Sequence, residues 1–177
     1  MTNQQSPGDI KVLVSAASKH GATAEIADHI GKTLEAQGLD LTRTEPSEVT
    51  DLEGYRAVIL GSAIYAGHWL QDAKELAARV AALDPAPMVW MFSSGPIGDP
   101  PKPEQDPVDV ADILQATAAR QHQVFAGKID TSKLSFGEKA IMIAVRATEG
   151  DFRDWDEIAC WADQIGQAVK AELGVSA

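Results

Sequence analysis

The stretch "IKVLVSAASKHGATAEIADHIGKTLEAQG" (residues 10–38) carries the decision about the fold. It opens on a short apolar run rich in Val and Ile, which predicts a buried strand over 10–16. It closes on Ile26, Ile30 and Leu34, spaced four apart on one face of a helix over 22–37, and Gly38 stops that helix. Between them the bend "SKHGAT" (18–23) gathers two hydroxyls, a basic pair and a glycine. A helix that starts near Ala22 leaves its first N–H groups without internal partners, at the positive end of its dipole. An anion satisfies both. Gly21 allows close backbone approach, Ser18 and Thr23 add donors, and Lys19 and His20 add positive potential. The same hydroxyls also serve plain helix capping, so the bend alone leaves phosphate binding and capping both open.

Outward from this unit, the pattern keeps alternating. Strands are expected at 39–44, 56–62, 87–94 and 123–129, and helices at 68–83, 107–120 and 155–173. Continuous alternation implies a parallel sheet with helices on both faces. The expected architecture is a doubly wound five-stranded α/β sheet in order 2-1-3-4-5, with a Rossmann order second. Residues 1–8 are expected to be a mobile tail and 9–177 a single domain. The Pro-rich stretch "GPIGDPPKPEQDP" (95–107) reads as a long loop after the fourth strand.

The formal net charge of −11 argues against nucleic acid and anionic membranes as partners. It suits solubility, or recognition of a basic partner. The lone Cys160 forms no intramolecular disulfide and reads as a small packed residue on the last helix. The chain shows no signal-peptide pattern and no apolar stretch of spanning length, so a cytoplasmic protein, at most peripheral to a membrane, is expected.

In such a sheet the ligand lies beyond the carboxyl ends of the strands, where strand order reverses. Three segments meet there: "SKHGAT" (18–23), "SAIYAGHW" (62–69) and "SSGPIGDP" (93–100). The first lacks the Gly-Lys-Ser/Thr ending of a Walker loop and the three glycines of a dinucleotide fingerprint. A phosphorylated receiver needs carboxylates where this chain has Ser15 to Ser18 and Ser62. The second segment offers Tyr65 and Trp69 as faces for a flat ring, Gly61 and Gly67 as room, and backbone amides for a heterocycle's edge. Packing remains an equal reading for Trp69, and an exposed helix-start position the simpler one for His68. Asp99 and Glu104 read as solvent-facing loop charges.

S-x-x-G-x-T after a first strand resembles the phosphate loop T-x-T-G-x-T of flavodoxins, with Ser18, Gly21 and Thr23 in its first, fourth and sixth places. His20 stands where the middle hydroxyl usually is, and its imidazole N–H can donate in turn. The stretches "SKHGATAEIA", "GSAIYAGHW" and "FAGKID…FRDWDEI…WADQI" further resemble the flavodoxin-domain subfamily of menaquinone-dependent protoporphyrinogen oxidases. The resemblance implies a flavodoxin-like fold with FMN as cofactor. It puts the phosphate at Ser18, Lys19, His20, Gly21, Ala22 and Thr23. It flanks the isoalloxazine with Ser62, Ala63, Ile64, Tyr65, Ala66, Gly67 and His68 on one side. Ser93, Ser94, Gly95, Pro96 and Gly98 stand on the other. Acidic residues near the ring would lower its reduction potential.

In the oxidase the region after the fifth strand carries an insertion associated with activity. Here it is 128–153, whose apolar block "AIMIAV" (140–145) reads first as a short buried helix on the sheet edge. A lid over the flavin, or a contact surface for a quinone or second subunit, is the alternative. Two functions from different classes follow. One is an FMN oxidoreductase passing electrons from an organic substrate, such as a porphyrinogen, to a quinone. The other is a carrier that docks on redox proteins. A deazaflavin in place of FMN stays open, as do the oligomeric state and any catalytic side chain.

Overall fold

A computed structural model describes residues 7–95, 106–144 and 146–175. Pro96, Gly98, Asp99, Glu104 and residues 1–6 lie outside the described residues. The chain runs β1 (Lys11–Ala17), α1 (Ala22–Ala36), β2 (Asp40–Thr44), β3 (Ala57–Tyr65), β4 (His68–Trp69), α2 (Gln71–Ala81) and β5 (Met88–Ser94). It continues with α3 (Val110–Thr117), β6 (His122–Phe125), β7 (Lys128–Ile129), α4 (Phe136–Ala144), β8 (Gly150–Asp151) and α5 (Trp155–Glu172).

The main sheet has the order β2-β1-β3-β5-β6, all parallel, which is the expected 2-1-3-4-5 in order of strand appearance. Strand alternation sends its side chains to two cores. Val12, Val14 and Ala16 of β1, with Ile59 and Phe92, pack against Ile26, Ile30 and Leu34 of α1 and Ile158, Trp161 and Ile165 of α5. Leu13 and Ala17, with Val58, Leu60 and Met91, pack against Ala73, Leu76 and Val80 of α2 and Val110 of α3. Both faces of the central strands are therefore buried, which is why β1, β3 and β5 read as continuous apolar runs.

Four elements differ from expectation. β3 runs on to Tyr65, then turns through Ala66 and Gly67 at positive φ into β4, which pairs with β3 antiparallel. That hairpin takes the first residues of the expected helix at 68–83, and α2 starts only at Gln71. α3 is shorter than 107–120, because Ala118 adopts the left-handed conformation and ends it. The expected fifth strand, 123–129, is two strands: β6 completes the main sheet, and β7 leaves it to pair with β8 in a separate antiparallel ribbon. Phe152 N–H donates to Gly127 O (3.1 Å), tying that ribbon to the break. Residues 140–144 of the apolar block lie in helix α4, and Val145 is outside the described residues; none of α4's described residues is buried, against the expected buried helix. Phe136, Ile141 and Ile143 are exposed. Cys160 is exposed on α5 rather than packed.

Candidate functional site

A cavity of about 190 Å³ opens at the carboxyl ends of β1, β3 and β5. The β1–α1 bend contributes Ser18, Lys19, His20, Ala22 and Thr23; the end of β3 contributes Ala63, Ile64 and Tyr65; the end of β5 contributes Ser94 and Gly95. Its far wall was not among the expected site residues: Gly127, Lys128 and Ile129, then Leu134, Glu138, Ile141, Met142 and Ala147.

The bend leaves the first amides of α1 without a side-chain partner. Gly21 is the N-cap of α1 at φ 92°, a conformation that glycine adopts without strain, and no side chain caps the helix. A Cβ at Gly21 would meet nothing within 4 Å, so the loop is open on that side. Ser18 Oγ accepts from Gly21 N–H (3.0 Å), which leaves its own hydroxyl hydrogen free to donate. Thr23 is buried at the floor. Lys19 Nζ sits 3.6 Å from the centroid of the Tyr65 ring, a cation–π contact that fixes the ammonium at the cavity mouth.

One carboxylate faces Lys19 and His20. Glu138 Oε1 lies 2.7 Å from Lys19 Nζ and 3.0 Å from His20 Nε2. The hydrogen bond from Lys19, followed by bonds from Ser135 and His20, holds Glu138 far below the usual carboxylate range. Lys19 in turn is raised, first by Glu138 and then, against some desolvation, by Tyr65. Glu138 also closes a capping box: Ser135 N–H donates to its Oε2 (2.8 Å), and Glu138 N–H donates to Ser135 Oγ (3.3 Å). The motif S-x-x-E at 135–138 is the signal in the sequence that could have placed this residue at a helix start.

Other expected residues lie beside the cavity rather than in its wall. Ser62 is fully buried and accepts from Leu70 N–H (2.9 Å), holding β4 to β3. Ala66 and Gly67 form the hairpin turn, and Gly67 O accepts from Val108 N–H (3.0 Å). His68 is exposed and pairs with Asp109 (3.1 Å). Trp69 packs in the core and donates from Nε1 to Ser93 Oγ (2.8 Å). Gly61 leaves no room for a ligand: a Cβ there would strike the Phe92 ring, so its role is packing.

Ser93 Oγ is also 2.7 Å from His122 Nε2, and His122 Nδ1 is 3.2 Å from Asp106 Oδ1. The order hydroxyl–imidazole–carboxylate is that of a hydrolytic triad. Ser93, however, is completely buried in the middle of the sheet, and its oxygen already accepts the Trp69 indole. No carbonyl can reach it, so the chain of bonds joins β4, β5 and β6 and performs no chemistry.

A doubly wound parallel sheet whose uncapped, glycine-started helix opens at the strands' carboxyl ends defines an α/β domain of the switch-point class. The chain belongs to the flavodoxin-domain family, whose model matches residues 13–156. Solved structures agree on the fold. A flavodoxin of Streptococcus pneumonia TIGR4 is 18% identical with a TM-score of 0.60, covering 92% of this chain and 99% of that one. A flavodoxin from the domain Archaea is 17% identical with a TM-score of 0.59, covering 91% and 99%. Rubredoxin oxygen:oxidoreductase from Desulfovibrio gigas is 16% identical with a TM-score of 0.63. There 92% of this chain is covered but 37% of the other, so the chain spans little more than a third of that enzyme. No curated protein matches. FMN is the cofactor that membership of this family supports. The open Gly21 loop, the free hydroxyl hydrogen of Ser18 and the cationic pair fit its phosphate. Among the described residues no helix is long and apolar enough to cross a membrane.

Proposed function

We propose that the chain is an FMN-dependent oxidoreductase that takes electrons from an organic substrate and passes them to a small acceptor such as a quinone. The observation that carries this reading is the far wall of the cavity. Leu134, Ile141 and Met142 present an apolar surface across from the phosphate bend and Tyr65, which suits a flat, partly apolar molecule beside a flavin. When bound, FMN supplies the transfer of electrons and a proton. Ser18, Thr23 and the first amides of α1 hold its phosphate, Lys19 and His20 balance the charge, and residues 63–65 and 94–95 border its ring. Leu134, Ile141 and Met142 keep water from the substrate. A porphyrinogen is one organic substrate within this reading, and the cytoplasm is its setting.

The second reading is a carrier that docks on redox proteins. The net charge of −11 favours it, as does the match to single-domain flavodoxins over 99% of their length. Purification followed by mass measurement of the released chromophore tests the common part of both readings. A yellow protein that releases FMN supports them, a deazaflavin mass moves the cofactor, and colourless protein indifferent to added FMN overturns them. The phosphate role is tested by Ser18→Ala combined with Thr23→Ala. FMN affinity should fall more than riboflavin affinity, since riboflavin has no phosphate. Equal loss of both removes the role.

A further inference from the structure

Glu138 stands where a phosphate-binding loop needs an anion, and it comes from the chain itself. Its carboxylate bridges Lys19 and His20 at 2.7 and 3.0 Å, while Lys133 Nζ donates to His20 O (3.4 Å) from the same segment. Two further observations bear on what this contact does. The cavity of about 190 Å³ is smaller than the usual small-molecule site of about 300–1,000 Å³, and α4 makes one of its walls. No described residue of α4 is buried, so little apolar area holds the helix down. The charge contact is then a main tether.

We propose that Glu138 is an internal competitor for the phosphate site and sets how strongly the protein prefers phosphorylated over unphosphorylated flavin. This rests on the FMN reading above. Two anions cannot share Lys19 and His20 at hydrogen-bond distance without repulsion, so a bound phosphate displaces the carboxylate and α4 moves outward with it. The price falls on FMN and not on riboflavin, which leaves the cationic pair to Glu138. Part of the affinity that the phosphate gains from the bend is spent in breaking the Lys19 ion pair and the His20 hydrogen bond. The partners of Glu138 from all sides are Lys19 and His20 on the bend and Ser135 on its own segment. No other carboxylate lines the cavity among the described residues.

Glu138→Gln is the discriminating change, since Gln keeps the capping box and removes the charge. Dissociation constants for FMN and riboflavin are measured by quenching of flavin fluorescence in both proteins. The variant should bind FMN about five- to fiftyfold tighter, with riboflavin changed less than twofold. A second variant, Lys19→Met, should weaken FMN less in the wild-type background than in the Glu138→Gln background, because in the wild type it also releases the lid. FMN affinity unchanged or weaker in Glu138→Gln, or equal tightening of FMN and riboflavin, overturns the proposal while the FMN reading stands. No flavin binding by either protein overturns the FMN reading, and the proposal with it.

Discussion

Arg153 shows how much one side chain can connect. Its guanidinium is almost fully enclosed, with Nε and Nη2 on the Asp151 carboxylate (2.8 and 2.6 Å) and Nη1 on Glu25 (2.7 Å) and on Ala22 O (3.2 Å). It also lies 4.5 Å from the centroid of the Trp155 ring. It thereby ties the β7–β8 ribbon to the first turn of α1, next to the anion bend. Arg153→Met should cost about 1–3 kcal/mol in urea unfolding, less than a buried pair because Asp151 and Glu25 can regain water. Arg153→Lys should recover less than half of that, since an ammonium cannot span the bidentate carboxylate and the carbonyl together. His122 makes a pH-dependent contribution. Ser93 gives its hydroxyl proton to Nε2, and Nδ1–H donates to Asp106, so the native ring is neutral. Burial lowers its pKa, and Asp106 offsets this only in part. The unfolded state thus binds the proton first as pH falls. The contribution is complete above about pH 6.5 and declines below it. The urea midpoint should fall between pH 7 and 5, and His122→Gln should flatten that interval. A second loss, below about pH 4, belongs to carboxylates such as Asp151, whose pKa the Arg153 hydrogen bonds lower.

At the scale of elements, α4 decides between two readings of the 128–153 region. A helix packed into the fold would take the fold with it when removed. This one has no buried described residue, exposes Phe136 and Ile143, and is held by Glu138, Lys133 and the cavity wall. Replacing 134–148 by a short Gly/Ser linker should leave a cooperative unfolding transition and change stability by less than about 1 kcal/mol. Substrate turnover should fall while FMN affinity holds or rises, because Glu138 leaves with the segment. A chain that no longer folds would show that α4 carries stability the contacts do not reveal. The same element marks where the sequence could be read and where it could not. β1, α1, β3, β5 and α5 were legible because burial on one or two faces imposes a pattern on the side chains, whereas the sheet order rested on the alternation of strands and helices and on crossover handedness, which left a second order open. The β7–β8 ribbon and the β3–β4 hairpin have two-residue strands, too short to show any period. For α4 the apolar letters signalled a helix, but they could not say that it lies over a ligand cavity rather than inside a core. In the sequence Ser18 to Thr23 showed hydroxyls and a glycine before a helix but left capping and anion binding both open; only the structure shows that no side chain caps α1. Glu138 was not legible as a site residue, since its partners Lys19 and His20 lie 118 or more residues away and only the tertiary fold joins them.

At the scale of the whole molecule, charge separates enzyme from carrier. The net charge of −11 creates a field that attracts basic proteins at long range, over about 30 Å at 0.01 M salt but only about 10 Å at 0.1 M. The cavity itself carries the opposite sign: Lys19 and Lys128 line it, against the single carboxylate of Glu138 among the described lining residues. A bound FMN phosphate would balance that charge, so the overall field guides a basic protein acceptor and acts little on a small neutral quinone. The two functions therefore predict different salt responses for the flavin-loaded, reduced protein. As a carrier, it should transfer electrons to a basic redox protein with a second-order rate that falls more than tenfold between 0.01 and 0.3 M salt. As an enzyme, it should reduce a short-chain quinone at a rate that changes less than twofold over the same range. Stopped-flow absorbance at the flavin band reads both acceptors in one preparation. A steep fall with the protein acceptor, together with slow and salt-insensitive quinone reduction, would assign the chain to the carriers. In that case the apolar wall of α4 would serve to exclude water from the flavin rather than to receive a substrate.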